Sequence, residues 1–266
     1  MTEAAPEPAL EATYAIDGYA AEITLNRPAA LNAMTDEMVA QLHDALNRCV
    51  ADGARALLVR AEGRGFCAGR DITGAEPGVE DGGQVLLDTF NPLMRKVAAL
   101  PFPTIAAVQG ACLGTGLGLA LACDVILAAD NAKFGSPFGK IGAVLDSGGH
   151  KAFVERLGPA VALDLIYSGR FLSGGEAAAA GLVSRCVPAD DLLDTARAYA
   201  AAVAKGPVRA FAESKALVRH VSEQPTSLDR VLQLEAAAQT RASRTQDYVE
   251  GFTAFLQRRE PTFRGE

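Results

Sequence analysis

The sequence has no CxxC pair, no excess of positive charge and no clean apolar run long enough to cross a bilayer. Its five cysteines, Cys49, Cys67, Cys112, Cys123 and Cys186, are scattered through apolar segments and read as buried free thiols in a reducing compartment. A net charge of −7 and a pI near 5.1 disfavour non-specific binding to nucleic acid or to an anionic membrane, so any phosphate site must be local. The nearest approach to a membrane span, GACLGTGLGLALACDVILAA, is broken by four glycines and Asp124. The opening TEAAPEPALEA has neither a basic nor an apolar targeting region and reads as a frayed tail over residues 1–12, which makes the cytoplasm the expected location. No GK[ST] follows GTGLG, and no GxGxxG fingerprint with a downstream acid occurs, which argues against nucleotide phosphate binding there.

What is present is a globular composition, with 49% hydrophobic residues over 266 positions. YAAEITLNRP alternates like a strand and stops at a proline. Met38, Val39, Leu42, Ala45, Leu46 and Cys49 then recur at helical spacing behind Thr35 as N-cap, with Asp36 and Glu37 in the first turn. ARALLVRAEG reads as a buried strand running into a glycine-rich turn. PTIAAVQG and DVILAAD read the same way, with the short helix GTGLGLALA between them. Strand, glycine turn and helix in succession predict a layered α/β protein. TGAEPGVEDGGQ is acidic and glycine-rich, which predicts a mobile loop, and a helix is expected over residues 86–100. Beyond Pro188 the composition turns helical, with helices expected at 190–205, 207–220, 228–242 and 246–259. The division is therefore a core over 13–200 and a helical region over 201–266, whose apolar stripes suit self-association.

Two segments could carry chemistry. FCAGRD (66–71) and GACLGTGLG (110–118) each join a buried strand to a helix or loop. Small residues let a ligand approach the backbone, and unpaired N–H groups at a helix start favour developing negative charge. Each segment taken alone is equally readable as a plain turn.

The ordered motifs LNRPAALNAM, GRGFCAGRDI, IAAVQGACLGTGLGLALACDV, AKFGSPFGKIG, DSGGH and AAGLVSRCV resemble those of the crotonase, or enoyl-CoA hydratase/isomerase, superfamily. The resemblance implies a crotonase-like spiral of ββα units with a C-terminal helical trimerisation region, assembled as homotrimers or hexamers. It also implies an acyl-CoA thioester as substrate, with coenzyme A part of that substrate and no separate cofactor or metal. The two main-chain N–H donors that would hold the thioester oxygen fall at Arg70, between Gly69 and Asp71, and at Thr115, behind Gly114. Family hydratases use two glutamates around an ordered water; the matching positions here are Gly118 and Phe138, neither of which exchanges a proton.

Asp146 stands where several isomerases of the superfamily carry an acid. The nearest likeness is to 1,2-epoxyphenylacetyl-CoA isomerases, whose corresponding run reads like KIGLIPDSGG. NPLMRKVAALPFP and the ending FLQRREPTFRGE are shared features, whereas Leu145 and His150 depart from the proline and threonine expected. One carboxylate suffices for a proton shuttle, so the resemblance implies an isomerase; a hydratase or lyase drawing an acid from elsewhere, and a non-catalytic acyl-CoA binder, remain as alternatives. Asp146 is equally suited to cap a helix beginning near Ser147. Phe138 is either a wall of the acyl pocket or ordinary core. His150 would share a helix face with Asp146 if both were helical. Glu76, Glu80 and Asp81 are either solvated or able to swing towards the pocket. For coenzyme A, the resemblance implies the backbone of Ala68, Gly69, Asp71 and Ile72, with Ala30 and Leu31 alongside. Arg27 and Arg70 are candidate partners for its phosphates, and Phe263 and Arg264 would reach the nucleotide, often of a neighbouring subunit.

Overall fold

A computed structural model describes residues 10–266, so most of the tail expected over 1–12 lies outside the described residues, and Ala12 already opens the first strand. Strands β1 (Ala12–Asp17) and β2 (Ala20–Leu25) form an antiparallel pair. Helix α1 (Asp36–Ala51) follows, with the Thr35 hydroxyl accepting from the Met38 N–H and the six expected apolar residues buried. Strand β3 (Ala56–Ala61) lies parallel to β2.

A helical stretch then begins earlier than the composition suggested. Asp81 caps α2 (Gly82–Val85), a wide turn spans Leu86–Phe90, and α3 (Asn91–Ala98) completes it. Pro92 at the second position of α3 withholds an N–H that a regular ladder would use, which accounts for the break.

The remaining elements repeat one unit: β4 (Thr104–Val108), β5 (Ala111–Leu113) and α4 (Thr115–Ala122), then β6 (Val125–Ala129), β7 (Lys133–Gly135) and α5 (Gly149–Leu157). After them come α6 (Pro159–Ser168), β8 (Leu172–Ser173), α7 (Gly174–Ala179), β9 (Arg185–Val187), α8 (Leu192–Ala204), α9 (Val208–Glu223), α10 (Leu228–Ala242) and α11 (Gln246–Gln257). Long strands join a six-stranded sheet ordered β1-β2-β3-β4-β6-β9, and short ones a second sheet ordered β5-β7-β8. A bridge between Cys67 and Cys112 carries the first glycine turn onto the second sheet. From β4 onward, successive turns of chain thus add a strand to both sheets, which is a spiral of ββα units.

The main sheet is covered on both faces, which is why its central strands are continuously apolar. Leu57, Val59, Ala106 and Val108 face the larger core, shared with α1, α3 and α4. Ala56, Leu58, Ile105, Ala107 and Leu127 face α8, which answers with Leu192, Ala196, Ala200 and Ala204 at a spacing of one helical turn. Alanine there lets the helix lie close to the sheet. The boundary expected near residue 200 therefore falls inside a core helix, and the helices that stand off the sheet begin with α9.

Candidate active site

The two glycine turns meet. A Cβ built on Gly69 would lie 3.8 Å from the Gly114 Cα and 3.2 Å from the Leu113 carbonyl oxygen. Gly114 has φ 52° and ψ −126°, a conformation closed to residues with a side chain, and it leaves Thr115 as the first residue of α4. The Thr115 N–H is thus one of the unpaired donors of a helix start. At Arg70 the flanking groups are used, Met34 N–H donating to the Gly69 carbonyl and Asp71 N–H to the Met34 carbonyl. The Arg70 N–H itself has no acceptor among the described residues. Two free main-chain donors therefore stand beside one another on adjoining turns.

Phe138 closes this corner. Its ring atom Cζ would be 2.9 Å from a Gly114 Cβ, and the residue is half-buried, so it packs beside the second glycine turn and is not interior core. Gly118, one turn along α4 from Thr115, is held as glycine by contact: a Cβ would sit 2.3 Å from the Ser147 Cβ and 2.7 Å from its carbonyl oxygen. The space that a glutamate side chain at 118 would enter is occupied by the backbone beside Asp146.

Asp146 does not cap a helix. α5 starts at Gly149 with Gly148 as its N-cap residue and no side-chain cap, and only the Asp146 main-chain carbonyl is used, by the Gly149 N–H at 2.8 Å. The carboxylate is half-buried, and its Oδ1 is buried with no hydrogen-bond partner among the described residues. Burial raises its pKa above the usual carboxylate value, with Ser147 and His150 pulling it partly back. Ser147 takes the left-handed conformation at φ 52°, a strain of about 1–2 kcal/mol that turns the chain between Asp146 and the helix. His150 is exposed on the first turn of α5; with Asp146 outside the helix, the shared helix face expected for the pair does not exist.

The acidic loop is tied down. Arg70 donates to both carboxylate oxygens of Glu80 at 2.6 and 2.7 Å, which holds Glu80 below the usual carboxylate range and raises Arg70. Glu80 is thereby an ionised anchor and not a free acid, while Asp81 caps α2 and Glu76 is exposed. Arg27 is likewise engaged, donating to the Ala33 carbonyl and to Asp71 and pairing with Glu11. Both guanidiniums expected to meet phosphates are thus paired within the chain. Around them, the Ala68 N–H donates to the Leu31 carbonyl at 3.0 Å, and Ala30 and Ile72 are exposed beside that join. Asp71 turns its carboxylate to its own loop, accepting from the Thr73 N–H.

Phe263 and Arg264 lie elsewhere. Their carbonyls accept from Arg55, at the start of β3 and so at the opposite end of the sheet from the glycine turns, and the Arg264 N–H donates to Asp247. Phe263 packs on Gly251 at the edge of a cavity of about 430 Å³ lined also by Tyr248, Phe252 and Phe255. Within one chain they do not join the site.

Four of the five cysteines are buried in the core, where burial pushes the Cys49, Cys67 and Cys123 thiols up to about 12 and also raises Cys112; Cys186, expected to be buried, is only partly so because it lies on the short edge strand β9. Three hydroxyls not singled out from the sequence, those of Thr115, Ser136 and Ser147, are buried without partners among the described residues. The available signal was position, since Ser136 opens SPF and Ser147 follows Asp146.

The family model for enoyl-CoA hydratase/isomerase matches residues 16–266. The chain is 39% identical over 252 residues to the 1,2-epoxyphenylacetyl-CoA isomerase of Escherichia coli, covering 92% of this chain and 94% of that one. It is 35% identical over 244 residues to the 2,3-dehydroadipyl-CoA hydratase of the same organism, covering 91% and 94%. A crystal structure of enoyl-CoA hydratase from Bacillus anthracis superposes with a TM-score of 0.88 at 29% identity, covering 96% of this chain and all of that one. With its spiral fold and adjoining glycine turns, this chain belongs to the enoyl-CoA hydratase/isomerase family of enzymes that act on acyl-CoA thioesters.

Proposed function

We propose that the protein is an acyl-CoA isomerase, which shifts a double bond or rearranges a ring epoxide through a thioester enolate. The observation that supports the reading is the placement of acids: Asp146, next to the Ser147 that packs on Gly118 of α4, has a buried oxygen unpaired among the described residues, while Gly118 has no room for a side chain and Phe138 packs on Gly114. The N–H groups of Arg70 and Thr115 hold the thioester oxygen, an interaction that contributes about 2.7–4 kcal/mol per donor where such donors have been removed. For a 3-enoyl thioester, the Asp146 carboxylate takes a proton from the carbon beside the carbonyl. The C–H electron pair passes into the dienolate, whose charge rests on the held oxygen. The same acid then returns the proton to the far alkene carbon, which leaves the 2-enoyl product.

A raised carboxyl pKa suits both halves of that shuttle, since it makes the carboxylate a stronger base and the acid available for return. Glu80, paired with Arg70, is poorly placed to supply the second acid that hydration requires. Coenzyme A lies along Ala68 to Ile72, beside Ala30 and Leu31. The exposed Val249, Phe252, Phe255 and Leu256 of α11 are the apolar surface through which copies associate as a trimer or hexamer, which light scattering measures directly.

Asp146→Asn keeps shape and removes the base. Isomerisation is expected to fall by at least about a hundredfold, the usual contribution of a positioned acid/base group, while acyl-CoA binding persists. Turnover at the wild-type rate would overturn the assignment.

A further inference from the structure

The Thr115 N–H is aimed by α4, whereas the Arg70 N–H lies on a turn and needs something to direct it. The segment 31–34 does so. Residues 68–71 run beside it as a short parallel ladder: the Ala68 N–H donates to the Leu31 carbonyl, the Met34 N–H to the Gly69 carbonyl and the Asp71 N–H to the Met34 carbonyl, at 3.0, 2.8 and 2.8 Å. In a parallel bridge the residue between the two bonded groups keeps its own N–H turned the other way. Arg70 is that residue. On the far side of the same turn, Cys67 bonds the second turn, donating to the Ala111 carbonyl and accepting from the Leu113 N–H. Pairing with Met34 therefore turns the Arg70 N–H towards Gly114 and Thr115.

The segment 31–34 is not held in place by its own backbone preference. Leu31 and Asn32 are both left-handed, with φ 50° and 54°, a conformation that leucine resists and asparagine tolerates. Asn32 is fully buried, and its amide is used at both ends. Its Oδ1 accepts from the Arg27 N–H at 2.7 Å, and its Nδ2 donates to the Glu62 and Gly65 carbonyls, each at 2.9 Å. Those carbonyls lie between β3 and FCAGRD, so the side chain fastens 31–34 to the root of the turn that it aligns. Aspartate would lack the two donors; an amide supplies donors and acceptor together. The Arg27 guanidinium spans the ladder from outside, its Nη1 donating to the Ala33 carbonyl at 2.6 Å and to Asp71 at 3.0 Å.

We infer that Asn32 is a positioning residue for the reaction, acting through the 31–34 ladder to aim the Arg70 N–H at the thioester oxygen, with the Arg27 side chain as a second clamp. The inference rests on the reading of Arg70 and Thr115 as the donors that hold that oxygen. It gives Arg27 a task within the chain in place of the phosphate contact expected from the sequence. Aim matters because a hydrogen bond weakens steeply as its angle closes, and a donor works in catalysis only where it points at the developing charge.

The test reads the donors and not turnover. Butanoyl-CoA, which has no double bond to shift, is labelled with carbon-13 at the thioester carbonyl, and its C=O stretch is followed by difference infrared spectroscopy with each protein saturated. Hydrogen bonding to the carbonyl oxygen lowers the stretch. The proteins compared are the wild type, Asn32→Gly, which suits a left-handed backbone but lacks the amide, and Arg27→Met, which keeps an apolar stem but lacks the guanidinium. Leu46→Ala, a truncation of a buried α1 residue outside the ladder, reports what loss of stability alone does. The wild-type stretch is expected to move to lower wavenumber, and about half of that displacement is expected to be lost in Asn32→Gly and in Arg27→Met, since one donor of two is misdirected. Leu46→Ala should keep all of it. The full displacement in Asn32→Gly, or in Arg27→Met if the glycine variant does not fold, would overturn the inference and leave the donors standing, as would an equal loss in Leu46→Ala. No displacement in the wild type would overturn the donor assignment and the inference with it.

Discussion

Gly118→Ala adds one methyl group where the structure has no room. Its Cβ would stand 2.3 Å from the Ser147 Cβ and 2.7 Å from the Ser147 carbonyl oxygen. Carbon pairs rest at about 3.5–4.0 Å, so α4 and the 146–148 segment must separate by roughly an ångström or more. Overpacking of this kind costs about 1–3 kcal/mol, offset by the gain of about 1 kcal/mol that alanine has over glycine inside a helix. The net loss of up to about 2 kcal/mol corresponds to a fall in Tm of up to about 8 °C. Catalysis should suffer more, because Ser147 carries Asp146 with it, and a displacement of about 1 Å can cost on the order of a hundredfold in rate. Gly175→Ala in α7 is the control, since a Cβ there meets nothing within 4 Å. Thermal melts and steady-state kinetics on both variants decide the matter. If Gly118→Ala melts and turns over as the wild type does, the contact does not position Asp146, and the reason given for the absent glutamate is wrong.

Asp146→Asn should also change stability with pH. The folded state holds this proton more tightly than the unfolded chain does, so native stability is greatest when the group is protonated and declines as pH rises through its raised pKa. The asparagine variant should therefore unfold at a higher temperature than the wild type at neutral pH, and the gap should close towards the ordinary carboxylate range; a constant gap would contradict the burial argument. For the same reason, wild-type kcat should fall on acidification at a pH above that range. Arg70→Ala keeps the main-chain donor but frees Glu80, so proteolytic cleavage within residues 73–83 should accelerate and KM should rise more than kcat falls. Unchanged cleavage would mean that the ion pair does not hold the loop.

Elements with strong periodicity or uniform burial could be read from the residues. α1 showed its six buried positions and its cap, and β4, β6 and, apart from Arg60, β3 showed the apolar runs of strands covered on both faces. β5, β7, β8 and β9 span two or three residues each, too short for alternation to register, and they exist because the spiral brings their backbones together. The helical stretch before α3 begins at Gly82 because Asp81 accepts from two main-chain N–H groups, a local bond that composition alone disguised as loop.

At the site, the motifs marked Arg70, Thr115 and Asp146, but the cap reading of Asp146 could be settled only by where α5 starts. The pairing of Arg27 and Arg70 was likewise invisible, since Glu11, Asp71 and Glu80 lie at separations that no local pattern connects. The unpaired hydroxyls were hidden for a related reason: serine and threonine near turns ordinarily bond their own backbone, and only the folded geometry shows that these do not.

The central claim is proton transfer by one acid without addition of water. It is tested most directly by incubating the protein with 2-enoyl, 3-enoyl and ring-epoxide CoA thioesters and resolving the products by mass and absorbance. Products of unchanged mass, formed by the wild type and lost in Asp146→Asn, are the predicted result. Products heavier by one water, formed at comparable rates by both proteins, would contradict it.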